Sequence, residues 1–150
     1  MTVAPDLGVG RPGPDTPVFP RQHLTAGYRG PVIRFSDDRW PLSAINDNPS
    51  ADVSPISWSG FPSGLREELR LAAWIMINSE LPGSFLRGRA TTWRSRVGAR
   101  CLYRTVMAWR DLAVWLERRG IDTLADCATE TLEEYGAFLR DRGPPATACT

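Results

Sequence analysis

Apolar positions recur with helical spacing in three stretches of this chain, and they show no regular period in the region before them. The strongest stretch runs from Arg96 to Ile121, RVGARCLYRTVMAWRDLAVWLERRGI. From about Ala99 onward, Leu102, Val106, Trp109, Leu112, Ala113 and Leu116 fall at i, i+4, i+7, i+10, i+11 and i+14. That spacing is one face of a helix turning by about 100° per residue. Arg100, Arg104 and Arg118 fall on the far side of the same wheel, and Cys101 lies between the faces, where a semi-buried thiol is expected. Gly120 follows Arg118-Arg119 and should stop the helix, with cations in its last turn where the helix dipole favours them.

A second helix is predicted near 64–79. Ser63 is its candidate N-cap, and Glu67-Glu68 lie in the early turns where negative charge is favoured. Leu65, Leu69, Ala72 and Met76 make one face, and Leu71, Trp74 and Ile75 make much of the opposite one. A helix that is apolar on both sides is expected to be buried between layers. A third helix is predicted near 130–141, capped by Thr129 or Thr131. Thr131-x-x-Glu134 fits a capping box, and Leu132, Tyr135 and Leu139 form its apolar stripe. Between the last two helices, Ile121 to Cys127 reads as a short turn with Leu124 pointing inward.

The rest of the chain carries turn chemistry. Met1 to about Pro31 is rich in Gly and Pro and has no period, so disorder is expected there. Val32 to Phe35 is a short extended run, Ser36-Asp37-Asp38 a turn, and Trp40-Pro41-Leu42 an extended segment. After the loop Asn46 to Asp52, Val53 to Phe61 is a further extended stretch, and these pieces can form a small two-stranded ribbon. The predicted fold is therefore mainly α, a small helical domain preceded by a short extended region and a disordered tail. The expected division is a tail at 1–31, extended segments plus a helix at 32–81, a basic linker at 82–98, a partial helical domain at 99–142 and a second tail at 143–150.

Charge changes this picture through its distribution and not its total. The 150 residues carry a net charge of +1. Yet Leu81 to Arg110 holds seven arginines (87, 89, 94, 96, 100, 104 and 110) and no acid, while Ile121 to Asp141 holds six acids and one arginine. All 18 basic residues are Arg. Whatever coding bias produced that, guanidinium forks bind phosphate bidentately and stack on bases, which Lys does not do.

Enzyme chemistry is poorly served. His23 is the only histidine and lies in the expected tail, so neither a general base nor a metal or cofactor site is expected. There is no Gly-rich phosphate loop, no His-Glu-x-x-His, no Gly-x-Ser-x-Gly and no Cys–His pairing. Glu133-Glu134 reads as a solvated carboxylate pair. Cys101, Cys127 and Cys149 form neither a zinc pattern nor a disulfide framework, which fits a reduced, cytoplasmic compartment. The N-terminus lacks the basic and apolar regions of a signal peptide. The longest apolar run, Leu71 to Ile77, is too short to span a bilayer, so no membrane partner is expected.

The basic block has functional content. Arg94, Arg96, Arg100 and Arg104 follow at i, i+2, i+6 and i+10, with Trp93 and Tyr103 interleaved and Arg87 and Arg89 upstream. On a helix and the linker entering it, these six arginines would track a phosphate backbone through salt-dependent, mostly sequence-independent contacts. The alternative is a small helical protein-interaction domain whose arginine face is solvated.

One resemblance bears on that choice. Residues 105–139, TVMAWRDLAVWLERRGIDTLADCATETLEEYGAFL, resemble the start of the SAM-like core-binding domain of tyrosine recombinases, the phage-type integrases. The matching features are Trp115-Leu116, Gly120-Ile121, Leu124-Ala125-Asp126, and Tyr135 with Leu139. Phe35 to Pro82 is similar to the N-terminal region of actinobacterial members. The resemblance implies an incomplete core-binding domain that binds duplex DNA and meets other recombinase protomers. The family's catalytic Arg, Lys, His-x-x-Arg and nucleophilic Tyr have no counterpart here. No Lys or His-x-x-Arg occurs, and Tyr28, Tyr103 and Tyr135 match no nucleophile position. The chain is thus expected to be a truncated, non-catalytic N-terminal portion.

Overall fold

The computed structural model describes residues 11–46, 48, 52–79 and 97–142. Three α-helices lie within them: α1 (Ser63–Asn78), α2 (Ala99–Arg118) and α3 (Thr129–Arg142). A two-stranded antiparallel sheet precedes them, β1 (Arg39–Trp40) with β2 (Ile56–Ser57), in the register Arg39↔Ser57 and Trp40↔Ile56. The expected ribbon thus exists, and the chain is mainly helical.

The sheet is two residues long on each strand and lies beside an aromatic cluster. Trp40 and Trp58 are fully buried and meet edge to face, 4.9 Å between ring centroids at 73°. Phe61 adds a third ring 4.7 Å from Trp58. Such pairs add about 0.5–1.5 kcal/mol beyond the area they bury. Arg70 of α1 closes this cluster. Its guanidinium lies 5.9 Å from the Phe35 ring and 5.8 Å from Trp58, and its Nη1 donates to the Phe35 carbonyl at 3.3 Å. This charge is only 8% exposed; aromatic faces, one carbonyl and Glu67 3.7 Å away replace part of its water, while its buried Nε has no hydrogen-bond partner among the described residues.

The expected disordered tail is corrected for residues 11–31. Thr16 to Val18 runs beside Ile33 to Phe35: Val18 N–H donates to the Ile33 carbonyl and Phe35 N–H to the Thr16 carbonyl, each at 2.8 Å. Val18, Phe19 and Ile33 enter the core, and His23 is buried in a 3-10 turn, Arg21–His23. The end of α1 holds this segment, since Trp74 Nε1 donates to the Pro17 carbonyl at 3.2 Å and Asn78 Nδ2 to the Val18 carbonyl at 2.9 Å. Order here comes from residues some 60 positions away, which a Pro-rich local pattern cannot announce. Residues 1–10 and 143–150, the two expected tail ends, lie outside the described residues.

In α1, Pro62 takes the cap position and Ser63 is the first helical residue, with no side-chain cap. The buried set is Leu65, Leu69, Arg70, Ala73, Trp74 and Ile77, so the inward row is turned from the expected Leu65–Leu69–Ala72–Met76 face. A helix apolar nearly all round does not declare which row points deepest. α2 follows its wheel: Leu102, Val106, Ala113 and Leu116 are buried, while Trp109 is half-buried against the same core. One continuous cluster, from Val18 to Leu116, joins the sheet, α1 and α2. The expected units at 32–81 and 99–142 therefore share a core.

α2 ends in a Schellman motif. Gly120 N–H donates to the Glu117 carbonyl at 2.9 Å and Ile121 N–H to the Leu116 carbonyl at 3.0 Å, with Gly120 at φ +77°. The chain then folds back on the start of α1. Leu124 is exposed and not inward as expected, and its N–H donates to Glu68 Oε1 at 3.2 Å. The capping box is also corrected. Ala128 precedes α3 and its carbonyl accepts from Thr131 and Leu132 N–H, so Thr131 lies inside the helix. Glu134 pairs instead with Arg119.

Candidate nucleic-acid interface

The helical turn of α2 decides where its arginines go. Once Leu102, Val106, Ala113 and Leu116 are buried, helical geometry turns Arg100, Arg104 and Arg118 outward, and all three are exposed. Arg100 and Arg104 stand one turn apart at the N-terminal end of the helix. Gly98, the cap residue, has no side chain to offer the first-turn N–H groups, and the positive end of the helix dipole lies there. Among residues 97–110 there is no acid. Asp111, exposed on the same outer line, bounds the basic surface before Arg118.

Arg87, Arg89, Arg94 and Arg96 lie outside the described residues, as does Trp93. Of the six candidate arginines, the structure thus places Arg100 and Arg104, on one face. Tyr103 was expected to interleave with them. It is half-buried and packed against the core instead. Cys101, expected to be semi-buried, is exposed.

Arg119, just past the end of α2, has other partners. Arg119 is ion-paired with Glu134, and its guanidinium stacks 4.1 Å from the Trp115 ring. This contact docks α3 on α2, together with Tyr135 and Phe138 at 5.1 and 6.3 Å from Trp115. The sequence reading missed Arg119, whose signal was the acid-rich start of α3 within reach of its last-turn position.

Tyr135 sits in that cluster, where burial raises its phenol above the ordinary value of 10.0. Asp111 raises it further and Arg142 opposes both. Tyr28 donates its hydroxyl hydrogen to the Pro31 carbonyl at 2.9 Å. A cavity of about 360 Å³ lies beside it, lined by residues of the N-terminal segment such as Phe19, Leu24 and Ile33. Among the described residues no group of His, Cys, Asp and Glu could hold a metal ion, and no helix is long and apolar enough to cross a membrane.

Compared with known proteins, the chain matches no family model, no curated protein and no solved structure.

Proposed function

We propose that this chain binds duplex DNA through its phosphate backbone, as a non-catalytic N-terminal portion of a cytoplasmic tyrosine-recombinase-like integrase. The observation that carries the proposal is the pair Arg100 and Arg104, both exposed, one turn apart, on the face of α2 opposite buried Leu102 and Val106. Two guanidinium groups beside an uncapped helix N-terminus suit phosphate oxygens, because forked donors and dipole act in the same direction. Arg94 and Arg96 precede them in sequence and would extend the track. Such contacts position a protein on DNA without reading bases.

The test is binding to two unrelated duplexes by fluorescence anisotropy at several salt concentrations. Each phosphate contact lowers the slope of log K against log[salt] by about 0.9, so four contacts give about −3.6. Replacing Arg100 and Arg104 together by Gln should reduce that magnitude by about 2, equally on both duplexes. A flat salt dependence, or a double variant indistinguishable from wild type, would refute DNA binding and favour the small helical protein-interaction domain.

A further inference from the structure

Among the described residues, one side of α3 is apolar and unpartnered. No residue of this helix is fully buried. Tyr135 and Phe138 face Trp115, but Leu132 and Leu139 remain 47% and 42% exposed. Leu132, Gly136 and Leu139 fall at i, i+4 and i+7, a straight stripe along the helix. Gly136 lies near its midpoint, where the space left by the missing Cβ is approached by the Arg140 guanidinium at 3.6 Å. Large apolar side chains in a row on a small protein mark an interaction surface.

The charges beside the stripe identify the occupant. Glu133 and Arg140 are seven residues apart, nearly aligned on one flank, and both are exposed. Along the helix, the first half carries Glu130, Glu133 and Glu134, and the end carries Arg140 and Arg142, with Asp141 between them on the side opposite the stripe. A parallel neighbour of the same sequence would set like charges side by side. An antiparallel neighbour sets Leu132 against Leu139, Gly136 against its own copy, and Glu133 against Arg140 twice over. The stripe is thus self-complementary under a two-fold axis, as a symmetric dimer interface must be.

We propose that α3 pairs antiparallel with α3 of a second copy of this chain, crossing at Gly136. The pairing needs no DNA and does not rest on the DNA-binding reading. One helix pair covers less than the ~1,200 Å² of standard interfaces, so the dimer is weak and concentration-dependent.

The test is sedimentation velocity of the full chain without DNA, over a concentration series. Wild type should move from monomer to dimer. Glu133→Arg alone and Arg140→Glu alone should each weaken dimerisation by about tenfold, since both symmetric contacts become repulsive. The double reversal in one chain should restore it. Mixing the two single variants should produce a heterodimer, because each supplies the charge the other lacks. Both positions are exposed, so dilute samples of every variant should melt like wild type. A wild-type chain that stays monomeric at its highest soluble concentration would overturn the proposal. So would single reversals that dimerise like wild type, or a double reversal that does not recover.

Discussion

Gly64 and Gly136 are both helical glycines, yet the same substitution should move stability in opposite directions. An added Cβ at Gly64, in the first turn of α1, would lie 2.7 Å from the backbone carbonyl oxygen of Asp122 and 3.1 Å from its Cβ. Ordinary contact begins near 3.4 Å, so the 121–126 turn and α1 must separate by most of an ångström. Neither side yields easily. Leu65 next to it is 1% exposed, and the turn is held by the Schellman bonds after α2 and by the Leu124–Glu68 hydrogen bond. Overpacking of this kind costs about 1–3 kcal/mol, against at most about 1 kcal/mol gained from the helix preference of Ala over Gly. Gly64→Ala should therefore destabilise by about 1–2 kcal/mol. At Gly136 the added Cβ meets only Arg140 Nη1, at 3.6 Å, in van der Waals contact. There the propensity term stands alone and Gly136→Ala should stabilise by about 0.5–1 kcal/mol. Thermal unfolding by circular dichroism, at dilution where the chain is monomeric, should lower the Gly64→Ala midpoint by roughly 4–8 °C and raise that of Gly136→Ala by a few degrees. Equal midpoints for the two variants, or a Gly64→Ala protein as stable as wild type, would refute the close approach between α1 and the turn after α2.

Leu116→Ala should cost about 2–5 kcal/mol, measured by urea unfolding, because the side chain is fully buried in the shared core. Trp109→Ala should fall below the ~3–5 kcal/mol of a fully buried aromatic, since its ring keeps partial exposure. The Tyr135 phenol, raised by burial and by Asp111, holds its proton in the folded state to higher pH than in the unfolded chain. Its contribution to stability is complete below the ordinary value of 10.0 and is lost as pH rises through the folded value. The late-titrating part of the tyrosinate absorbance should disappear in Tyr135→Phe.

The helices of this chain were legible in its sequence because each obeys a local rule. α2 needs only its own apolar spacing and Gly120, whose φ of +77° suits a residue without Cβ. Once the face bearing Leu102 and Val106 is known to be inward, Arg100 and Arg104 must be outward. That much of the candidate interface follows from local spacing alone. Tertiary structure decided what no window of the sequence contains. Val18 and Phe19 sit among prolines with no period, and they are ordered because Ile33, Trp74 and Asn78 receive them. The inward row of α1 was chosen by its neighbours, since nearly every row of that helix is apolar. The capping box was lost because the helix begins at Thr129, which sets Glu134 a full turn past the cap, where Arg119, stacked on Trp115, pairs with it. The period of α3 announced an apolar stripe, but a period reports only that a face is apolar; the fold shows that Leu132 and Leu139 on it stay exposed among the described residues.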